Sequence, residues 1–293
     1  MEKQYGRIDL HMHTTISDGT YTPEEMLRIV QEAGIEVFSI TDHDSVKAAG
    51  IIPGLLKEGS PAFISGAELS CRDEYGKYHI LGYSYDPDSE AIGELVDHSH
   101  GLRMIKLNRR LDFLREEFGI TFPEEEVKKL TEMENPGKPH IGNLMVRYGF
   151  AKTKEEAIRD YLNKMKATNE YIRPETAISC ILRGGGIPVL AHPSYGSGDE
   201  LILGDEMDER LRRLTDYGLM GVEAFYSGFT KKIREEMLDF AEKYDLYVTA
   251  GSDCHGKNKL IEVGDTGLDE VEGMPARITA FLKDALSRKG GVR

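Results

Sequence analysis

The chain has 293 residues, 40% hydrophobic and 30% charged, a globular composition that excludes a disordered or membrane-embedded protein. Its net charge of −14, from 37 basic and 51 acidic residues, argues against a surface that grips long duplex nucleic acid, which needs clustered lysine and arginine. There is no apolar run long enough for a transmembrane helix and no signal-peptide pattern in "MEKQYGRIDL". The three scattered cysteines (Cys71, Cys180, Cys254) form no disulfide or zinc-finger framework, so a cytoplasmic location is expected.

In chain order, short β-like runs alternate with amphipathic stretches. Arg7–His13 is the first strand candidate, followed by "TPEEMLRIVQEAG", a helix capped by Thr22, with Pro23 at its first position and its end at Gly34. Strand candidates follow at Val37–His43, Phe63–Leu69 and Tyr78–Tyr83. From His98 to Pro174 no strand is predicted: "HGLRMIKLNRRLDFLREEFG" and "TKEEAIRDYLNKM" read as helices with "ENPGKPH" as a loop between them. Strands resume at Ile187–His192, Gly221–Tyr226 and Tyr247–Asp253, with "KKIREEMLDFAEKYD" as a helix before the last. The tail "SRKGGVR" is expected to fray. The alternation predicts an α/β fold with a largely parallel sheet, and a site assembled from several strand ends suits a barrel. The expected organisation is a discontinuous barrel, residues 1–97 and 175–293, interrupted by a helical insertion or lid of residues 98–174.

The histidines fall at the ends of these runs. His11 and His13 close the first, His43 the second, Glu68 the third; His192 closes "GIPVLAHP", and "YVTAGSDCH" delivers Asp253 and His255. His79 differs, lying near the start of its strand. Residues i and i+2 of a strand face the same side, so His11 and His13 can hold one ion together, and Asp18 on the loop "TTISDG" can bend back over them. Six histidines with Asp18, Glu68 and Asp253 make nine candidate ligands, which suits two or three ions sharing bridging carboxylates. Burying so many ionisable groups without ions would be costly. The donor set, imidazole and carboxylate without thiolate, fits Mn²⁺, Fe²⁺ or Zn²⁺.

"DLHMHTTISDGTYTPEEML", "SITDHDSV", "GAELSC", "HILGY", "VLAHP" and "GSDCHG" resemble, in order, the motifs of the PHP (polymerase and histidinol phosphatase) superfamily, over residues 5–97 and 175–270. Within it the chain looks most like stand-alone phosphoesterases with a helical insertion, including nucleoside 3′,5′-bisphosphate phosphatases, and "GKPHIGNLMVRYGF" resembles their insertion motif. The resemblance implies a distorted (β/α)7 barrel with a trinuclear metal site. His11, His13, Glu68 and Asp253 would hold the first ion, Glu68, His79 and His192 the second, and Asp18, His43 and His255 the third. Cys254, between two ligands, is expected to pack away from the ions.

Three divalent ions with three carboxylates leave the site at about +3, a field that favours a phosphate dianion and acidifies a bridging water. The expected chemistry is in-line attack of a metal-bridging hydroxide on a nucleoside 3′,5′-bisphosphate to give the 5′-monophosphate, with His192 and Asp253 at the reacting centre. His140 is expected to touch phosphate or leaving group, Arg109 and Arg110 to clamp a second phosphate, and Asp42, Asp44 and Glu223 to orient ligands. The expected partner is thus a small phosphorylated molecule. The alternatives are histidinol-phosphate phosphatase, a 5′→3′ exonuclease on short RNA ends, and a non-catalytic metal-binding scaffold.

Overall fold

The computed structural model describes residues 5–166, 169–195 and 201–292; residues 1–4, 167, 168, 196–200 and 293, within the expected domain ranges, lie outside the described residues. The strands are β1 (Ile8–Asp9), β2 (Val37–Phe38), β3 (Ala62–Ile64), β4 (Gly66–Asp73), β5 (Gly76–Tyr83), β6 (Ile187–Leu190), β7 (Gly221–Tyr226), β8 (Tyr247–Gly251) and β9 (Gly291–Val292). The helices are α1 (Pro23–Glu32), α2 (Lys47–Leu55), α3 (Glu90–Phe118), α4 (Glu124–Thr131), α5 (Lys138–Arg147), α6 (Lys154–Asp160), α7 (Pro174–Arg183), α8 (Gly204–Asp216), α9 (Lys231–Lys243) and α10 (Ala276–Ala285).

The fold is α/β, in two open sheets ordered β1-β2-β3-β9 and β4-β5-β6-β7-β8. β1, β2 and β3 are parallel, as are β6, β7 and β8, but β5 runs antiparallel to both its neighbours. Isolated hydrogen bonds cross between the sheets: Leu10 N donates to Ala250 O at 2.9 Å, His13 N to Cys254 O at 2.9 Å, and Asp44 N to Glu68 O at 2.8 Å. These divided loyalties explain why the first two predicted strands shrink to two residues each. Beyond Asp9 the chain stays extended, but its donors go to β8 and the loop beyond it while Met12 O accepts from Thr41 N. Gly251 makes the close approach possible, since a Cβ there would stand 2.2 Å from His11 Cβ.

Two expectations about ends are corrected. Phe63–Leu69 is not one strand: the chain passes from one sheet to the other at Ser65. The C-terminal tail does not fray up to Val292. Gly291 and Val292 pair with Ile64 and Phe63, and Ser65 N donates to Gly290 O at 2.8 Å. "GG" here permits contact, because a Cβ on Gly290 would lie 2.2 Å from Ser65 Oγ.

α1 follows its sequence signature. Thr22 caps it in a reciprocal box with Glu25, Pro23 occupies the first turn, and Gly34 takes φ 67° just past its end. The long α3 begins at Glu90, ahead of the expected insertion boundary at His98. Its 29 residues span about 43 Å. Leu95 packs into the core of the strands, whereas Leu107 and Leu114 belong to a separate apolar cluster with Leu130, Ile141 and Met145. One continuous helix therefore ties the helical region to the sheets. Among the described residues no helix is long and apolar enough to cross a membrane.

Candidate metal centre and adjoining cavity

The topology delivers the candidate ligands to one rim. β6, β7 and β8 are parallel, so His192 and Asp253, just past the ends of β6 and β8, emerge on the same side. β5 is reversed, so its first half lies at that rim, where Ala191 N donates to His79 O at 3.0 Å. This accounts for the unusual position of His79 in its strand. Two residues reach their places through left-handed backbone, His192 at φ 27° and Asp253 at φ 58°, a strain that side-chain contacts at the rim must offset.

Glu68 is the hub. Its Oε2 lies 3.3 Å from His11 Nε2, 3.2 Å from His13 Nε2 and 3.0 Å from His43 Nδ1, and its Oε1 lies 2.8 Å from His79 Nδ1 and 3.1 Å from His192 Nε2. Asp253 Oδ1 approaches His11 and His13 Nε2 at 3.5 and 3.2 Å, and Asp18 Oδ1 approaches His255 Nε2 at 3.2 Å. Three groups have converging donor atoms that could hold an ion: His11, His13, Glu68 and Asp253; His13, Asp18, His43 and His255; and His43, Glu68 and His79. Eight of the nine candidates thus fall in these groups. His192 falls outside them, although its Nε2 is also 3.1 Å from His79 Nδ1.

Several imidazoles have one nitrogen committed by the fold. His11 Nδ1 donates to Glu223 Oε1 at 2.9 Å, His192 Nδ1 to Tyr195 O at 3.1 Å, and His255 Nδ1 to Asp253 O at 2.9 Å. Each bond leaves the lone pair of Nε2 facing the cluster. Glu223 is fully buried and also accepts from His192 N at 2.7 Å, so one carboxylate orients two of the candidates. Glu223→Gln is therefore expected to lower metal affinity and kcat/KM by roughly 10–100-fold while leaving the fold intact, as metal titration and initial rates would measure.

The donors fit divalent cations better than they fit one another. His11 Nε2, His13 Nε2, His43 Nδ1 and Glu68 Oε2 are buried without a hydrogen-bond partner despite their proximity, because the angles are wrong. Burial pushes the His13 imidazolium down, but Asp253 and Glu68 outweigh it and hold its pKa at about 9. Burial wins at His43, against the pull of Glu68 and Asp18, and holds it at about 3. Burial opposes ionisation of Asp18, Glu68 and Asp253, yet the surrounding histidines keep all three well below the usual carboxylate range. Protons alone thus compensate the carboxylates unevenly, among converging N and O donors that include no cysteine. Cys254 packs among Met12, Met26 and Phe38.

The expected roles of the flanking acids divide. Asp42 accepts from Thr14 N, Thr14 Oγ1 and Ser17 Oγ, each at 2.7 Å, and so holds the loop that carries Asp18. Asp44 accepts from Ser70 N at 3.0 Å and pairs with Arg103. Asp253 has two further partners that the sequence pattern did not mark: Tyr226 Oη donates to its Oδ2 at 2.9 Å and Lys259 Nζ at 2.5 Å.

A cavity of about 420 Å³ opens beside the cluster. Its wall carries Asp18, His43, Glu68, His79, His192, Asp253 and His255 together with Lys77, Arg103, Lys106, Arg110, Lys138 and Tyr171. Arg103, Lys106 and Arg110 lie at i, i+3 and i+7 of α3 and share one face, a spacing that would have found them from sequence. Arg109 is turned by about 100° from Arg110; it pairs with Glu170 and does not line the cavity. His140 does not line it either, though its neighbours Gly137, Lys138 and Pro139 do. Its Nδ1 accepts from Gly137 N at 3.1 Å, which leaves Nε2–H as a donor, and burial lowers its pKa despite the nearby Asp18.

Residues 9–173, more than half of the chain, match the PHP domain family. The chain is 28% identical over 277 residues to a 5′-3′ exoribonuclease of Haemophilus influenzae, covering 94% of this chain and 97% of that protein. It is 26% identical over 284 residues to a 3′,5′-nucleoside bisphosphate phosphatase of Chromobacterium violaceum, covering 92% of each. The solved structure of an amidohydrolase from Chromobacterium violaceum, with bound sulfate, matches with a TM-score of 0.82 over 98% of both chains at 23% identity, a likeness of fold. With more than half of its length matched, and the clustered residues from His11 to His79 inside the matched span, the chain belongs to the PHP domain family.

Proposed function

We propose that this chain is a metal-dependent phosphomonoesterase that converts a nucleoside 3′,5′-bisphosphate to the 5′-monophosphate. It is a hydrolase acting on phosphoester bonds. The observation that carries the substrate is the single cavity joining a histidine–carboxylate cluster to a wall of arginines and lysines, in a protein whose net charge is −14. Such a cavity offers two separate places for phosphate on one molecule. The seam hydrogen bonds support reading the two sheets as a distorted (β/α)7 barrel, residues 1–97 and 175–293, with residues 98–174 as its lid. A cytoplasmic setting suits three free, buried cysteines.

Two or three divalent ions, Mn²⁺, Fe²⁺ or Zn²⁺, held by His11, His13, Asp18, His43, Glu68, His79, His192, Asp253 and His255, would polarise the phosphoryl oxygens and acidify a water. The protein's own groups do the rest. Glu68 and Asp253 supply charge between the imidazoles, and Tyr226 and Lys259 hold the outer oxygen of Asp253 so that its other oxygen stays turned inward. His192 has its Nδ1 proton committed to Tyr195 O, which favours a ligand's role over that of leaving-group acid. Lys106, Arg110 and Lys138 would bind the second phosphate, whereas His140, off the cavity wall, would shape the site through its bond to Gly137 N and not by touching the substrate. Arg109 is left out of this clamp.

The same cavity is walled by Tyr195 and Tyr226, whose rings stand 6.1 Å apart. Aromatic surface of this kind favours, as a second reading, a 5′→3′ exonuclease on short RNA, with the rest of the chain stacking outward. Phosphate and nucleotide release from the Mn²⁺-supplemented protein distinguishes the readings. Adenosine 3′,5′-bisphosphate is expected to exceed adenosine 3′-monophosphate and histidinol phosphate by about 100-fold in kcat/KM, two phosphate hydrogen bonds' worth. Equal rates on the two adenosine substrates would remove the second-phosphate site from the account. A 5′-phosphorylated RNA trinucleotide turned over faster than the bisphosphate would select the exonuclease.

A further inference from the structure

On the wall of this cavity, Asn135 is left without a task by the reaction proposed above. It lies in the loop between α4 and α5, 3% exposed, on the cavity wall, and neither its Oδ1 nor its Nδ2 has a hydrogen-bond partner among the described residues. Native proteins keep few such groups, and each calls for an explanation. Slack in the loop does not supply one. The preceding Glu134 is fixed from two sides, its carbonyl accepting from His100 Nδ1 at 2.9 Å and its carboxylate pairing with Lys47. Two residues on, Gly137 N is bonded to His140. The loop is thus held on both sides of Asn135.

A phosphate dianion would satisfy only half of it. Phosphate oxygens accept, so they would use Nδ2 and leave Oδ1 facing negative charge, and Arg110, Lys106 and Lys138 already provide cationic donors on the wall of the same cavity. The group that answers both atoms is neutral and carries a donor beside an acceptor. On a nucleotide that chemistry has two sources, the ribose 2′-hydroxyl and the hydrogen-bonding edge of the base.

Building on the bisphosphate reading, we propose that Asn135 is a specificity residue that reads a neutral donor–acceptor group of the substrate, ribose hydroxyl or base edge, beside its second phosphate. A site built around a buried hydrogen-bonding group rejects the analogue that lacks the partner, because its own amide is then left unpaired.

The test compares kcat/KM for adenosine 3′,5′-bisphosphate, its 2′-deoxy analogue and the analogue with hydrogen in place of the base. The wild-type protein is expected to lose tenfold or more on one of the two truncated substrates. That arm identifies the group being read. Asn135→Ala is expected to lose the same factor on the full substrate and nothing further on that truncated one, the pattern of a closed double-mutant cycle. Asn135→Leu, apolar and of similar size, should repeat the kinetics with a melting temperature at or above the wild type, which guards against a folding defect. Equal wild-type rates on all three substrates, or full discrimination retained by Asn135→Ala, would overturn this inference alone. Turnover of none of the three would overturn the bisphosphate reading and this inference with it.

Discussion

Glu68→Gln is expected to reduce phosphate release by about 10³-fold or more, with the secondary structure unchanged. The substitution preserves size and removes one charge at the point where five imidazoles converge, three on one oxygen and two on the other. Removing an orienting group outside a metal's ligands costs roughly 10–100-fold, and removing a single charge-stabilising donor from an active site costs about 10²–10³-fold. Glu68 is itself proposed as a ligand and belongs to two of the three groups of converging donors, so its loss should cost more than either. Phosphate release at saturating Mn²⁺, metal content per chain after desalting, and far-ultraviolet circular dichroism would be measured together. Metal content is expected to fall as activity falls. A variant within tenfold of the wild type would remove Glu68 from the reacting centre. A wild-type protein that binds metal but releases phosphate from no ester would instead favour the scaffold reading.

What the sequence made legible was the part of the site dictated by ligand chemistry. Seven acidic and imidazole residues at the ends of apolar runs are hard to place by packing alone, and the fold brings eight of the nine candidates into converging groups. The reversal of β5 was less visible. His79 betrayed it by lying at the wrong end of its strand, but a period-2 pattern reads the same in both directions and carries no sign of parallel or antiparallel pairing. Strand ends at the rim were overdrawn for a similar reason. Leu10–His13 has the composition of a strand, yet its donors are shared with β8 instead of continuing a ladder with β2. The tail was misjudged because glycine reads as flexibility, whereas at Gly290 it serves close approach. Among the basic residues, adjacency misled: "NRR" suggested a two-arginine clamp, while helical geometry sends Arg109 to Glu170 and groups Arg110 with Arg103 and Lys106. Tyr226, Lys259 and Asn135 left no pattern at all, because what marks each of them, a contact to Asp253 for the first two and a buried amide without a partner for the third, exists only in the folded chain.

Lys106→Met is expected to weaken the enzyme and strengthen the protein at once. Lys106 is 6% exposed, with its ammonium 3.8 Å above the Tyr171 ring. Burial, reinforced by Arg103 and Arg110 and only partly opposed by Asp44 and Glu170, lowers its pKa from 10.5 to about 7. The folded state therefore releases a proton that the unfolded chain keeps up to pH 10.5, so this group's penalty on folding is complete below about pH 7 and fades as pH rises from there to 10.5. Methionine carries no such penalty and fits the same apolar stem. The variant's melting temperature should exceed the wild type by about 4 °C or more at pH 6.5, and the gap should close by pH 10. Activity should move the other way: KM for adenosine 3′,5′-bisphosphate is expected to rise by about 10–100-fold at pH 7, the worth of a charge-assisted hydrogen bond or two, with kcat changed much less. Adenosine 3′-monophosphate, lacking the second phosphate, should be turned over as before. An equal loss on both substrates would mean that Lys106 serves the reacting centre and not the distant phosphate. A lower melting temperature at pH 6.5 would mean that its contact with Tyr171 outweighs the cost of burying its charge. The opposed signs are the informative feature, since a residue kept for packing would lose stability and activity together.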